Sequence, residues 1–171
     1  PGLASMDAAI KFDNYFDGTN LRIAMVSKSG SAGKLYKVNA TTFALSDTDN
    51  IFSGQALLDV KIAASSTNVF IGATTAVGSL TKLGVYDSNG LVLDEFQIDN
   101  PTNFDASTNT DDYFNTLSIS QYKIVPYGTE ARLFAVSQGT PLSGSHKLYM
   151  ARLRKVSSTW TLSCGDCQTA S

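Results

Sequence analysis

The chain has 171 residues, of which 43% are hydrophobic and only 16% are charged, and its formal net charge is −2. A chain of this length suits one domain, which can bury a sizeable core without disulfide or metal staples. The low charge and the lack of a concentrated basic cluster exclude a phosphate-binding surface, so we expect no nucleic-acid partner. No apolar run reaches the roughly 18 residues of a membrane helix, so we also expect no membrane span.

The first predicted repeat covers residues 8–50 and contains four short strands. The first strand surrounds Lys11, and Asp17-Gly18 then marks a tight hairpin turn, because this pair accepts a positive φ. The next strands are "LRIAMVS", "KLYKVNA" and "FALSD", and "SDTDN" at 46–50 is predicted as the loop to the next repeat. Such short runs, separated by Gly, Asn, Asp and Ser, are typical of hairpin-connected strands.

The same order returns in residues 56–99 and 117–163. The second repeat contains "VFIGATT", "KLGVYDS" and "LVLDEFQ", with a turn at Asn89-Gly90, and the third contains "ARLFAVS", "KLYMARL" and "WTLSC". No segment keeps a 3.6-residue apolar period, so we expect little or no helix. The landmarks shared by the three repeats are Lys11, Lys61 and Lys123, then Thr19, Thr67 and Thr129, then Lys34-Leu35, Lys82-Leu83 and Lys147-Leu148.

Four strands in a repeat of about 40–50 residues are typical of a propeller blade. The order of polar turn, apolar strand, Gly-rich loop and Lys-Leu-Tyr resembles the degenerate blades of secreted bacterial β-propeller proteins, in which "DGT" and "GKLY" precede strands. The resemblance covers about residues 8–163 and implies an all-β domain of three four-stranded antiparallel blades. It brings no family active site, because the Trp-Asp dipeptide, the Kelch double glycine and the sialidase Asp-box are absent.

Three blades predict an assembly, because propellers close with roughly 4–8 blades. We expect residues 1–171 to form a single all-β repeat domain. It would be half of a six-bladed ring made by two copies, or part of a larger propeller whose other blades come from the parent protein. A β-sandwich or a fibre-tip domain built from repeated hairpins is the alternative fold.

Candidate ligand residues are predicted on one rim, where propeller topology collects the loops between second and third strands and the links between blades. The polar insertion at 99–115 has three interpretations: a solvated loop, a ligand-contact loop, or a Ca²⁺ site at Asp105, Asp111 and Asp112, because Ca²⁺ takes 6–8 oxygen ligands. The candidate ligand-binding residues on this rim are Asp47, Asp49, Asn50, Asp99, Asp105, Asp111, Asp112, Tyr113 and His146.

The tail at 164–171 carries Cys164 and Cys167 in the motif "CGDC". We expect a disulfide within or between chains in an oxidising compartment. Free thiols remain an alternative, as does metal or redox chemistry, although a redox pair needs a helix N-terminus and a zinc site needs further ligands. Trp160, on a fourth strand, is predicted to pack in the core, with a binding platform as the alternative.

The function predicted from the sequence is a secreted or cell-surface binding module, adhesin- or lectin-like, that recognises a glycan or a protein through one loop-bearing rim. No catalytic residue is assigned, because phosphate-loop and nucleophile-elbow spacings fail and the chain has one His. The alternatives are a fragment of a lactonase- or hydrolase-like propeller enzyme and a purely structural assembly domain. No cofactor is expected apart from the candidate Ca²⁺.

Overall fold

The computed structural model describes residues 9–27, 33–75, 80–97, 119–137 and 147–163. These residues form an all-β fold, as expected, and contain no helix; accordingly, no helix among them is long and apolar enough to cross a membrane. The strands are β1 (Ala9–Phe16), β2 (Asn20–Ser27), β3 (Gly33–Asn39), β4 (Leu45–Ile51), β5 (Leu57–Ala64), β6 (Asn68–Thr75), β7 (Leu80–Asp87), β8 (Val92–Gln97), β9 (Ile119–Tyr127), β10 (Glu130–Ser137), β11 (Lys147–Val156) and β12 (Thr159–Ser163).

The strands form three antiparallel sheets, one from each predicted repeat. Sheet 1 contains β1–β4, sheet 2 contains β5–β8 and sheet 3 contains β9–β12, and within each sheet the strands follow their order in the chain. Tight turns make this order: Gly18 has a φ of 99° and Gly90 a φ of 91°, a region that side chains with a Cβ rarely adopt. The expected three groups of four antiparallel strands are therefore confirmed.

The link between sheets 1 and 2 differs from the prediction. Residues 46–50, predicted as a loop, lie within β4, and 47–50 pair with β3, with Leu35 opposite Asp49. The polar run is held as a strand because the half-buried Leu45 and the buried Ile51 anchor its ends. The actual link is residues 52–56, in which the buried Phe52 donates its backbone N–H to Glu95 Oε1 at 2.8 Å.

Sheet 2 lies between the other two sheets, and its strands β5, β6 and β7 are largely buried on both faces. Because side chains alternate along a strand, successive residues of β5, β6 and β7 contribute to opposite apolar clusters. This arrangement explains why sheet 2 has almost no polar face. The cluster shared with sheet 1 contains Val60, Ile62, Val69, Ile71 and Tyr86, and the cluster shared with sheet 3 contains Ala63, Phe70, Leu83 and Val85.

Hydrogen bonds between neighbouring sheets fix how the sheets are stacked. Between sheets 1 and 2, the Ile62 N–H donates to Asp13 Oδ2 at 2.9 Å. Between sheets 2 and 3, the Tyr122 hydroxyl donates to the Gly72 carbonyl oxygen at 2.9 Å. Burial raises the pKa of Tyr122 above its ordinary value, so this hydroxyl remains a donor at neutral pH.

The outer face of sheet 1 exposes two phenylalanines on β1. Phe12 is 61% exposed and Phe16 is 56% exposed, and their cross-strand partners Met25 and Leu21 lie half-buried on the same face. The outer face of sheet 3 is more polar and includes Arg152. The described sheets therefore form an open stack of three, not a closed ring.

Candidate functional site

The three predicted ligand residues Asp47, Asp49 and Asn50 lie within β4, and their backbones pair with β3. The Asp49 side chain lies on the face of sheet 1 that packs against sheet 2, where its carboxylate occupies the space that a Cβ at Gly90 would need. Asn50, one residue on, is exposed on the opposite face. The backbone of Asp47 pairs with Lys37. Asp49 therefore contributes to the contact between two sheets.

The remaining predicted site residues lie outside the described residues, so the calcium site, the rim contacts and the disulfide stay predictions. Among the residues that the structure does describe, no three His, Cys, Asp or Glu side chains are grouped to hold a metal ion. The predicted residues outside the described ranges are Asp99, Asp105, Asp111, Asp112, Tyr113, His146, Cys164 and Cys167.

A cleft of about 310 Å³ opens between sheets 2 and 3, and we call it the inter-sheet cleft. It lies beside the β5–β6 and β9–β10 turns, at the opposite ends of the strands from the β2–β3, β6–β7 and β10–β11 connections. The inter-sheet cleft thus lies at the opposite end of the strands from the loops predicted to bind a ligand. The cleft is lined by Thr67, Asn68, Leu93, Thr129, Glu130, Lys155 and Trp160.

Hydrogen bonds at the two turns hold the floor of the inter-sheet cleft. The Asn68 amide donates through Nδ2 to the Thr129 carbonyl oxygen at 2.9 Å, which joins the β5–β6 turn of sheet 2 to the β9–β10 turn of sheet 3. The Asn68 backbone N–H in turn donates to Ser65 Oγ at 3.1 Å, which closes the first turn. Both turns therefore present a fixed polar edge.

Trp160 forms one wall of the inter-sheet cleft and is also part of the core. Its ring packs edge-on against Phe70 with centroids 5.8 Å apart, and its backbone N–H donates to Asp94 Oδ2 at 3.3 Å. The side chain is only 5% exposed, which confirms the predicted core role. Its indole Nε1, however, is buried without a hydrogen-bond partner, and a buried donor that is left unpaired is costly.

The charged residues near the inter-sheet cleft differ in whether they form ion pairs. Glu130 accepts hydrogen bonds from Arg152 Nε at 2.6 Å and Arg152 Nη2 at 3.0 Å, and Arg132 Nη1 lies 3.8 Å away. The hydrogen bond to Glu130 raises the pKa of the exposed Arg152. Lys155 is exposed and forms no ion pair with any described carboxylate. The Glu130 carboxylate is thus paired with Arg152 on the outer face of sheet 3, whereas Lys155 lies at the cleft.

Sequence reasoning missed the inter-sheet cleft, although it did single out Trp160. In the structure, Lys155 and Trp160 lie opposite each other in the pairing of β11 and β12. Comparison with known proteins adds no further guide: no family model matches the chain, and a search of curated proteins finds no significant match.

Proposed function

We propose that the three sheets are blades of a β-propeller and that the chain is an extracellular or cell-surface binding module, adhesin- or lectin-like. The observation that supports this proposal is the way the sheets converge. The first strand of sheet 2, β5, approaches β1 and β2 on one side and β9 on the other. Blades of a propeller converge in this way because their first strands surround a common axis, whereas the sheets of a sandwich stay about 10 Å apart throughout.

The partner that we propose for the outer faces is a second copy of the chain. Two copies would provide six sheets, a number that closes a propeller. The sheet 1 face with Phe12 and Phe16 would then pack against sheet 3 of the second copy, as sheet 2 packs against sheet 3 within one chain. Burying each phenylalanine fully would contribute about 1.5–3 kcal/mol.

The ligand that we propose is a glycan or a protein, bound at the rim with the predicted loops. The intervals between β2 and β3, β6 and β7, and β10 and β11 are rich in Ser, Gly and Thr, and the interval between β8 and β9 is rich in Asp and Asn. Binding residues concentrate on such connections when a rigid scaffold positions them, which supports recognition at this rim.

The first experiment is the solution mass, measured by light scattering after size exclusion, with and without reductant. The subunit mass is 18.2 kDa, so we expect a species of twice that mass. If the dimer forms only without reductant, the motif at Cys164 and Cys167 joins the copies. A stable monomer or trimer would contradict the six-bladed ring.

The binding function is tested separately, by a glycan and protein array followed by deletion of residues 100–112. We expect the deletion to leave the circular dichroism spectrum unchanged and to weaken the binding of any array ligand and of Ca²⁺. Binding that is unchanged by the deletion would remove the insertion from the site. An array with no saturable ligand would favour the structural assembly domain, which the apolar face of sheet 1 also supports.

A further inference from the structure

We infer that Asn39 is an N-glycosylation site and that its glycan lies at the β3–β4 turn, away from the loop-bearing rim. Asn39, Ala40 and Thr41 form an Asn-X-Thr acceptor pattern, which is typical of surface turns in secreted proteins. It is the one such pattern in the sequence, because Asn100 is followed by Pro101 and proline at this position blocks the acceptor. The inference rests on the proposed extracellular location, since the modification takes place in the secretory pathway.

The side chain of Asn39 organises the β3–β4 turn through its oxygen alone. Oδ1 accepts hydrogen bonds from the backbone N–H groups of Thr41 and Thr42, both at 2.9 Å. The Asn39 backbone N–H donates to the Ala44 carbonyl oxygen at 2.9 Å, and the Phe43 N–H donates to the Asn39 carbonyl oxygen at 2.9 Å. Because these bonds join residues that are close in sequence, the nascent chain can form the turn before the sheets assemble.

The amide nitrogen of Asn39 is open to solvent. In the described part of the chain Nδ2 has no hydrogen-bond partner, and it is not one of the unpaired polar atoms that are closed off from solvent. The nitrogen that would carry the sugar is therefore neither paired nor enclosed. The Thr41 side chain, whose hydroxyl the acceptor pattern requires, is exposed as well.

The surroundings of the turn leave room for a bulky sugar chain. Residues 41–44 are all exposed, and Phe43 is 82% exposed. The nearest turn is β1–β2, whose Thr19 carbonyl oxygen accepts from the Ala40 N–H at 3.2 Å, and a Cβ at Gly18 in that turn would meet nothing within 4 Å. The β3–β4 turn lies at the opposite end of the strands from the β2–β3 connection, so a glycan here leaves the predicted ligand loops accessible.

The reaction is a glycosyl transfer from a lipid-linked diphospho-oligosaccharide. Asn39 Nδ2 attacks the anomeric carbon of the first sugar, the bond between that carbon and the phosphate oxygen breaks, and the lipid diphosphate leaves. One Nδ2 proton passes to a base of the transferase. The Thr41 hydroxyl serves in recognition of the acceptor and takes no part in the bond that forms.

The test is to express the full chain behind a signal peptide in cultured animal cells and to map the modification by mass spectrometry. Trypsin releases residues 38–61 as one peptide, bounded by Lys37 and Lys61. In both the medium and the cell fraction we expect this peptide to carry a glycan, which peptide-N-glycosidase F removes with conversion of Asn39 to Asp. If only the unmodified peptide is found in both fractions, the inference is overturned.

Matched variants separate the acceptor from the turn. Asn39→Asp keeps acceptors for the Thr41 and Thr42 N–H groups but has no amide nitrogen, and Thr41→Val removes the hydroxyl while leaving those bonds in place. Both variants should lose the glycan completely and keep the circular dichroism spectrum of the wild type. Thr41→Ser should keep the glycan, and so should Thr42→Val, which makes the same change one residue outside the pattern. A glycan that survives Thr41→Val would be attached by another chemistry and would refute the site.

Failure of this inference and failure of the proposed function give different results. A chain that is secreted without a glycan refutes the site at Asn39 and leaves the binding module intact as a proposal. A glycosylated chain that stays monomeric and binds no array ligand refutes the proposed function and keeps the site.

Discussion

The buried ion pair between Asp17 and Arg22 leads to a sharp prediction for the β1–β2 turn. Asp17 Oδ2 accepts from Arg22 Nε at 2.8 Å, while Oδ1 accepts from the backbone N–H groups of Thr19 at 3.0 Å and Asn20 at 2.7 Å. The side chains are only 7% and 3% exposed, and Arg22 Nη1 has no hydrogen-bond partner. Asp17→Ala therefore leaves a buried guanidinium without its counter-charge, and we expect a loss of about 3–5 kcal/mol in the free energy of unfolding.

Two further variants separate the ion pair from the turn. Asp17→Asn can keep an acceptor for the Thr19 and Asn20 N–H groups, so we expect a smaller loss, of about 1–3 kcal/mol. Adding Arg22→Leu to Asp17→Asn should recover part of this loss, because an apolar side chain replaces the unpaired charge. The assay is urea unfolding at pH 7, read from midpoints at constant m-value. If Asp17→Asn lies within about 0.5 kcal/mol of the wild type, the pair does not stabilise the fold.

The same pair predicts a pH dependence. Burial acts to raise the pKa of Asp17, but the hydrogen bonds from Asn20, Arg22 and Thr19 outweigh it, so the pKa lies below its ordinary value of 3.8. The stabilisation by the ionised carboxylate is therefore complete above the pKa of the unfolded state and is lost as the pH falls toward the folded-state pKa. The difference in stability between the wild type and Asp17→Asn should stay constant above pH 5 and shrink below pH 4, about the ordinary pKa. A difference that does not change with pH would contradict this reasoning.

Three more substitutions test a bond between sheets, a contact within sheet 2 and the proposed dimer interface. Tyr122→Phe removes the hydrogen bond to the Gly72 carbonyl and should lower the free energy of unfolding by about 1 kcal/mol without changing the fold. The measurement is urea denaturation, and an unchanged free energy of unfolding would mean that the bond does not stabilise the protein. Gly84→Ala should destabilise by about 1–3 kcal/mol and lower the melting temperature, because the new Cβ would lie 2.7 Å from the Tyr86 ring; an unchanged melting temperature would refute this contact. Phe12→Glu should convert the expected dimer to a monomer in light scattering, whereas an unaltered dimer would place the interface elsewhere.

The strands could be predicted from the sequence because their signals are local. The pairs Asp17-Gly18 and Asn89-Gly90 mark turns that the structure contains, and an apolar run follows each turn. The prediction of a loop at 46–50 is wrong, because Asp and Asn, which are depleted in strands, dominate the segment and its pairing comes from β3. Local composition predicts a strand poorly when the strand is stabilised by pairing with its neighbour and by apolar residues at its two ends.

The inter-sheet cleft could not be predicted because it depends on which faces of two sheets meet. Thr67 and Thr129 were recognised as repeat landmarks, yet nothing in their spacing indicates that the Asn68 amide bonds to the Thr129 carbonyl. Likewise, Trp160 was correctly assigned to the core, but its unpaired N–H is visible only once the neighbours of the indole are known. Such features belong to the packing of distant segments.

The two apolar faces of sheet 2 also have a consequence for the order in which the chain is made. As the chain leaves the ribosome, sheet 1 is available to cover one face as soon as β5–β8 appear. The other face, with Phe70, Leu83 and Val85, stays bare until β9–β12 have been synthesised, which takes several seconds at about 5–20 residues per second. Nascent chains that stall just after β8 therefore expose this apolar surface and are prone to associate with one another.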